Sequence, residues 1–411
     1  MSFNVALTGI NAASKDLEAT SNNLANSGTT GFKRSRAEFN DLFAMGPMGI
    51  PQLAIGQGAR LANVGQMFTQ GSFDFTERSL DLGIEGGGFF RLEDDGAVTY
   101  SRAGQFEVDR EGYIVNNTGK RLTGYRTDEA GNRIGDGRDQ LRLPTEGIPA
   151  RSTSGVEVGA NLNADVEAMG RNQVPFNPED TETFHESTTT TVYDSQGSAR
   201  DATFYFVKRG PNDWDVYTEI EGMDWDDENS PYFGPHQLEF DEAGNLAGEN
   251  GVAAYEGEFA AAVEDLDIEV DFREVTQFAR PFSVTRVSQD GYAAGEFENV
   301  DVEKDGRIFA RYSNGQAQVV GQVGLTSFPS EERLLSVGET SWQETFEAGD
   351  PLIGVPGQGT FGRIENGALE QSNVDVAHEL VNMITAQRNF SANARMVTTQ
   401  DQITQEIINI R

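Results

Sequence analysis

Residues 376–397 read VAHELVNMITAQRNFSANARMV, and apolar side chains recur in this stretch at alternating steps of four and three. An apolar stripe with that spacing lies along one side of an α-helix, so the stretch predicts a helix with a heptad seam. Ser372 and Asn373 precede it as candidate N-cap residues. The stripe shifts phase after residue 397 and then continues toward the end of the chain. Its principal members are Val376, Leu380, Met383, Phe390, Val397, Ile403 and Ile407.

The opening of the chain carries a matching stripe with small residues beside it. The polar residues that follow the stripe give this second helix an end. Together the two stripes predict a coiled coil in which the N- and C-terminal helices pair. The members of the N-terminal stripe are Phe3, Leu7, Ile10, Leu17 and Leu24.

Between the two stripes, short alternating runs separated by turn residues predict β-structure. Two-residue Asx-Gly loops favour the type I′ turn that the twist of a β-hairpin requires. No strand–helix–strand alternation and no fixed-period repeat is present, which favours all-β structure for residues 75–362. The fold class we predict is therefore mainly β with a helical coiled-coil terminal domain. The Asx-Gly pairs are Asp95-Gly96, Asn250-Gly251, Asp290-Gly291, Asp305-Gly306 and Asn314-Gly315.

Turn-rich and Pro-rich segments divide this β-structure into two β-rich domains in a nested arrangement. One such segment lies near residue 145 and another near residue 284. Residues 46–71 are rich in Gly, Pro and Gln without strong periodicity, which predicts a linker. The predicted domains are a terminal helical domain (1–28 and 368–411), an extended linker or arm (29–71), a middle domain (72–144 and 285–367) and an inserted outer domain (145–284).

Charge and composition exclude several classes of function. The 411 residues carry a net charge of −35, which excludes general binding of nucleic acid. Their longest apolar runs fall far short of the ~20 residues that a membrane-spanning helix needs, so we expect no membrane insertion. The first residues lack a basic region followed by an apolar one, so we expect no cleaved signal peptide. The chain has no cysteine, hence no disulfide or thiolate chemistry.

No catalytic, cofactor or metal site is legible from the sequence. His185, His236 and His378 lie far apart, whereas a metal needs three or four convergent ligands. The run that begins at Asp301 resembles a calcium loop but has Tyr312 where a glutamate is required. An acidic cluster resembles a cation site. In so acidic a chain, however, we expect this cluster to be a solvated loop. Its members are Asp224, Asp226, Asp227 and Glu228.

Uncharged residues flank both helical stripes, so each helix is apolar on more than one face. A single pair of helices cannot cover all of that surface, and we expect further pairs around it. The charge distribution agrees with this, because residues 1–45 are net neutral and residues 368–411 are net −2, which leaves −33 for residues 46–367. The sequence therefore predicts ends that become ordered within an assembly.

Two long motifs resemble the terminal signatures of the bacterial flagellar axial proteins, a family of rod, hook and hook-associated proteins. The first motif runs from LEATSNNLAN at 17–26 to TTGFK at 29–33, and the second is GALEQSNVD at 367–375, continued through 387–388. The matching residues are Asn22, Asn23, Asn26, Gly31, Phe32, Leu369, Glu370, Ser372, Asn373, Val374, Gln387 and Arg388.

The inserted middle and the block VYDSQG at 192–197 resemble the hook members of that family, because rod members are shorter. The resemblance implies a structural subunit, not an enzyme, of an extracellular tube that joins rod to filament and transmits torque. It implies partners as well: other copies of the chain, the distal rod and hook–filament junction proteins, and the hook cap and export apparatus during assembly. The alternatives are a distal rod or other hook-like axial protein and, in a different class, a secreted β-rich adhesin or enzyme.

Overall fold

The chain forms two compact units in which the second interrupts the first. The computed structural model describes residues 2–42, 56–128, 131–170, 174–224, 233–248, 250–259 and 266–409. The first unit comprises Met1–Thr145, Asn299–Arg311 and Ala317–Arg411, and the second comprises Glu146–Glu298 and Tyr312–Gln316. The predicted fold class is confirmed. One helix lies at each end of the chain, the two helices pack together, and the sequence between them forms β-structure.

The first unit contains both helices, α1 (Ser2–Ala25) and α2 (Val376–Asn409). Its strands before the insertion are β1 (Ser35–Asp41), β2 (Ala59–Gln66), β3 (Phe73–Phe75), β4 (Leu82–Glu85), β5 (Phe89–Asp94), β6 (Ala97–Ser101), β7 (Phe106–Val108), β8 (Ile114–Asn116), β9 (Arg121–Thr127) and β10 (Arg133–Gln140).

The second unit contains the next ten strands. They are β11 (Gly155–Asn163), β12 (Glu186–Tyr193), β13 (Ala199–Gly210), β14 (Asp213–Ile220), β15 (Met223–Asp224), β16 (Phe233–Glu239), β17 (Val252–Phe259), β18 (Leu266–Asp271), β19 (Thr276–Phe278) and β20 (Ser283–Gln289).

The remaining strands return to the first unit. They are β21 (Phe297–Val302), β22 (Arg307–Tyr312), β23 (Ala317–Val323), β24 (Leu325–Ser327), β25 (Leu335–Gly338), β26 (Ser341–Gln343), β27 (Leu352–Gly354), β28 (Arg363–Asn366) and β29 (Ala368–Glu370), with a 3-10 turn at Glu331–Arg333.

One large sheet forms the body of the first unit. Its main path runs β21-β22-β23-β9-β5-β6-β26-β25, and small two-strand sheets pair β1 with β2, β4 with β28 and β3 with β29. Phe89 lies at the centre of an aromatic core, with its ring edge-on to Trp342 at 5.7 Å and to Phe328 at 6.2 Å.

The second unit is built from two sheets that share one core. The order β12-β13-β14-β16 makes the first sheet, while β11 lies at the centre of the other, between β18 and β19 on one side and β20 on the other. Val158 from β11, Phe206 from β13 and Val270 from β18 are all fully buried in that core. The alternating apolar residues of the strands therefore meet between the sheets.

Three of the five Asx-Gly pairs form hairpin turns as predicted. Asp95-Gly96 joins β5 to β6 with positive φ at both residues, as a type I′ turn requires. Asp305-Gly306 and Asn314-Gly315 lie in the loops that join β21, β22 and β23. The prediction was wrong for the other two. Asn250-Gly251 precedes β17, whose partners are β15 and β18, and Asp290 instead binds the backbone N–H groups of Ser154 and Gly155.

Two of the expected boundaries also differ from the structure. The second unit extends to residue 298 and not 284, because β20 pairs antiparallel with β11 along its length. Within the expected linker at 29–71, β1 and β2 form an antiparallel hairpin that contacts α1. The middle of that segment and the acidic residues 226–228 lie outside the described part of the chain.

Phenylalanine truncation distinguishes the core from the surface of the first unit. Phe89→Ala should lower the free energy of unfolding by about 3–5 kcal/mol, because it empties a packed aromatic site. Phe346→Ala is the matched control, since that ring is fully exposed, and it should change stability by less than about 0.5 kcal/mol. Urea unfolding followed by tryptophan fluorescence measures both. Equal losses would contradict the placement of Phe89.

Candidate functional site: the junction of the chain ends

The two family motifs meet at the buried carboxylate of Glu370, at the end of β29. Lys33 Nζ lies 2.6 Å from Glu370 Oε1, and Arg102 Nη1 lies 3.4 Å from Oε2. The backbone N–H of Gly71 donates to Oε1 at 2.9 Å. All three charged side chains are almost completely buried. This cluster joins segments that are hundreds of residues apart in sequence.

Burial opposes every charge in the cluster. It lowers the pKa of Lys33 and of Arg102, and the Glu370 carboxylate counteracts both shifts. Burial also raises the pKa of the nearby Glu331, against the positive charges of Arg102 and Lys33. Lys33 Nζ has a further acceptor in Thr69 O at 2.8 Å. The cluster is stable only when complete, because removal of one partner leaves an uncompensated buried charge.

Gly31 allows the N-terminal segment to approach this cluster. Its N–H donates to Glu370 O at 2.7 Å, and its φ of +69° lies in the left-handed region. A Cβ atom at this position would lie 2.5 Å from the backbone nitrogen of Ala103. Only glycine satisfies both the backbone angle and the close approach.

Two asparagines of the motifs fix the chain on either side of Gly31. The Asn23 side chain accepts from Ser35 N and donates to Ser35 O, each at 2.8 Å. Asn373 accepts from Arg34 N at 2.8 Å and donates to Met67 O at 2.7 Å. Each side chain therefore takes the place of a backbone partner between segments that form no continuous sheet.

The remaining motif residues divide into two groups. Asn22, Asn26, Phe32, Leu369, Ser372 and Val374 lie in the segments that form the junction; for example, Asn26 Nδ2 donates to Asn22 O at 2.9 Å. Gln387 and Arg388 lie further along α2 with exposed side chains and are not brought to the junction.

The N-cap of α2 is Asp375, whose Oδ1 accepts from Ala377 N and His378 N, so the prediction of Ser372 or Asn373 as the cap was wrong.

The two helices contact each other through small residues. Ala6, Ala13 and Thr20 are buried at intervals of seven along α1, and Ala386 is buried on α2. A Cβ atom on Gly9 would lie 2.8 Å from the Asn393 side chain. The large apolar stripe was expected to fill this contact, but the adjacent row of small side chains lets the helices pack more closely.

Much of the large apolar stripe consequently faces away from the partner helix. Six of its residues are between 38% and 45% exposed: Phe3, Leu7, Val376, Leu380, Phe390 and Ile403. Ile10, Leu17, Leu24, Met383 and Val397 are half-buried, and the side chain of Ile407 lies outside the described part. Further exposed apolar residues extend the surface on α2: Val381, Ile384, Met396 and Ile408. We call the exposed residues of these two groups the apolar helix face.

Sequence reasoning missed two of the charged residues at the junction. Lys33 ends a quoted motif, yet nothing in the sequence marks it as buried. Arg102 carries no local signal because its partner, Glu370, is 268 residues away.

Two acidic residues, one on each helix, lie close enough to repel each other. Burial raises the pKa of Asp16, and the negative charge of Glu379 adds to that shift.

Four of the residues considered for metal binding have protein partners. Asp301 binds Arg311 at 2.8 Å, and Asp305 binds Arg307 at 2.7 Å. His185 Nε2 lies 2.8 Å from Glu167 O, and His236 Nε2 lies 2.8 Å from Asn250 O. Neither helix in the described part of the chain has the apolar length that crossing a bilayer requires.

Four family models match successive parts of the chain. Residues 3–33 match the flagella basal body rod protein, 83–161 the flagellar hook protein FlgE/F/G D1 domain, 161–292 the flagellar basal body protein FlaE D2 domain, and 365–410 the flagellar basal body rod FlgEFG protein C-terminal domain. The first and last of these matches contain Lys33 and Glu370 of the junction, and the match to residues 83–161 contains Arg102.

Curated relatives match over the full length. The chain is 38% identical to the flagellar hook protein FlgE of Salmonella typhimurium over 100% of both chains, and 38% identical to that of Escherichia coli K12, also over 100% of both. It is 30% identical to that of Borreliella burgdorferi over 98% of both. The crystal structure of Helicobacter pylori flagellar hook protein FlgE2 has a similar fold, with a TM-score of 0.55, 15% identity, and coverage of 72% of this chain and 100% of that one.

Removal of the Glu370 carboxylate tests the junction. Glu370→Ala should cost about 3–5 kcal/mol of unfolding free energy, because Lys33 and Arg102 stay buried without a counter-charge. Glu347→Ala is the control, since Glu347 pairs with Arg333 at the surface and an exposed pair contributes about 0–1 kcal/mol. Thermal or urea unfolding measures both variants. Similar small losses would show that the cluster does not hold the ends.

Asp16 gives the junction a pH dependence of known sign. Its raised pKa means that the folded chain binds the proton more tightly, so the ionised form destabilises the fold at neutral pH. Asp16→Asn should therefore raise stability at pH 7 by less than about 1 kcal/mol, because the side chain is partly solvated. The gain should vanish below the ordinary pKa of 3.8. A gain of the same size at pH 3 and pH 7 would assign it to packing.

Proposed function

This chain belongs to the family of the bacterial flagellar hook protein FlgE, and on that premise we propose how its structure performs the role of a hook subunit. Copies associate through the apolar helix face into a helical tube around a central channel. The tube acts as a flexible joint that transmits torque from the rod to the filament. The chain is a structural protein and not an enzyme.

The observation that supports this proposal is that the apolar helix face stays exposed although α1 and α2 already pack together. Large side chains such as Leu380 and Phe390 have no cover within their own chain that removes them from water. Burial of apolar surface provides about 25 cal/mol per Å². Helices from further copies supply that cover, and an interface between different surfaces that does not close on itself produces an open helical polymer.

The junction turns this association into a mechanical connection. Glu370 binds both Lys33 at the N-terminal root and Arg102 in the body of the first unit. A force applied to the helices of one copy therefore reaches its β-structure through buried, bonded groups. A pair of helices attached only by mobile linkers would assemble but transmit torque poorly.

The distribution of charge along the chain favours an inner layer of helices and an outer layer of β-structure. The helical ends are nearly neutral, with no net charge in residues 1–45 and −2 in residues 368–411. They can pack densely, whereas the acidic bodies repel one another and belong outside. Outer contacts between charged surfaces are weak and polar, which permits the sliding that bending requires.

The further partners proposed are those of a hook: the distal rod and the hook–filament junction proteins at its two ends, and the hook cap and the flagellar export apparatus during assembly. The proposed location is extracellular, in the hook, after export without a cleaved signal peptide. The family matches at both ends support this proposal over an adhesin, which has no use for apolar helices at both termini.

A charge on the apolar helix face should prevent assembly and spare the monomer. Leu380→Asp or Phe390→Asp leaves the single chain folded, because both side chains are already partly exposed. In the polymer the same carboxylate would be buried without a partner, at a cost of several kcal/mol per subunit. Circular dichroism checks the fold, and sedimentation with negative-stain microscopy in high salt checks for tubes.

Leu335→Asp is the control for that experiment. It adds the same charge at a leucine that is 56% exposed on β25 and is not part of the apolar helix face. We expect tubes from this variant and from the unmodified chain, and none from the helix variants. Normal tubes from Leu380→Asp and Phe390→Asp would contradict the proposed interface.

A further inference from the structure

The first unit contains a cavity of about 860 Å³ whose charged lining is mostly basic. Four cationic side chains line it, and Asp305 is the one acidic residue among the lining residues. That balance is unusual in a chain with a net charge of −35. The four cations are Arg133, Lys304, Arg307 and Arg363.

Two of these cations are already neutralised within the chain. Lys304 Nζ lies 2.8 Å from Glu365 Oε1, and Arg307 binds Asp305 at 2.7 Å. The other two are not. Arg133 stacks over the ring of Tyr125 at 5.8 Å, and in the described part of the chain neither Arg133 nor Arg363 has a carboxylate within ion-pair distance. Among the described residues, the cavity thus presents two guanidinium groups without counter-charges.

The opposite charge is concentrated in the second unit. Residues 146–298 contain 33 acidic and 8 basic residues, a net charge of −25, which leaves −10 for the first unit. Many of these carboxylates are exposed. Glu179, Asp180 and Glu182 lie together in one loop, exposed and with no ion pair to any described residue. Guanidinium groups bind carboxylates strongly because two parallel N–H groups match two oxygens.

We propose that this basic cavity receives carboxylates from the second unit of a neighbouring copy of the chain. The inference rests on the proposed function, since it requires copies that assemble side by side. Attraction at the cavity offsets part of the repulsion between acidic bodies and fixes which surfaces face each other. The contact is polar and exchangeable, so it can be made and broken as the tube bends.

The occupant is tested by photo-crosslinking in the assembled full-length chain. Benzoyl-phenylalanine replaces Gln358, an exposed residue that lines the cavity, and the labelled chain is polymerised with an isotopically heavy copy. Mass spectrometry then identifies the crosslinked peptides. We expect light–heavy crosslinks from residue 358 to peptides of residues 146–298. Crosslinks to the first unit, crosslinks within one copy, or none in a well-formed polymer would overturn the proposal.

Charge reversal gives an independent readout. Arg133→Glu with Arg363→Glu should raise the critical concentration for polymerisation about tenfold, equivalent to ~1.4 kcal/mol. Arg110→Glu with Arg333→Glu makes the same change in net charge at exposed sites outside the cavity, and should raise it less than about twofold. The assay uses low ionic strength, because salt screens exposed charges beyond about 8 Å at 0.15 M.

The outcomes separate this inference from the proposed function. Equal effects of the two double variants would assign the loss to general repulsion and overturn the role of the cavity, while the hook assignment would stand. Failure of the unmodified chain to polymerise at all would overturn both. Circular dichroism of each variant confirms that the first unit remains folded.

Discussion

The buried carboxylate of Glu370 is the interaction on which the rest of the structure depends. Lys33 brings the N-terminal segment to it, and Arg102 brings the body of the first unit. Glu370 lies six residues before α2, so the cluster anchors the segment that leads into that helix. A buried ion pair contributes little net stability but is costly to break. Here the buried pair provides structural specificity, because it fixes the place at which the helices leave the β-structure of the first unit.

A division of surface character follows from that anchor. The helices pair through Ala6, Ala13 and Ala386, which are small, so their larger apolar side chains remain at the surface. The β-units carry nearly all the negative charge. The paired terminal helices are thus suited to close packing with helices of other copies, and the β-structure is suited to contact with water. The basic cavity is a local exception, and its position in the less acidic first unit agrees with a role between copies.

The sequence predicted those features that depend on local periodicity and turn chemistry. The heptad stripes located both helices, and Asp95-Gly96 marked a hairpin because both residues tolerate positive φ. It could not show that Asp290 would bind Ser154, since that contact depends on distant segments. Arg102 was missed for the same reason. The stripe also did not reveal which row forms the helix contact, because small residues carry little hydrophobic signal and yet allow the closest approach.

Hydrogen–deuterium exchange of α2 tests most directly whether copies of the chain associate through the apolar helix face. In the free chain, backbone amides along the outer part of α2 exchange through local opening, since one partner helix covers only one side. In the assembled tube, further helices should cover the apolar helix face and slow the exchange of peptides from residues 376–409 by orders of magnitude. We expect that protection there, with little change in the core strands β5 and β13. Equal exchange of α2 in the free and assembled chain would contradict it.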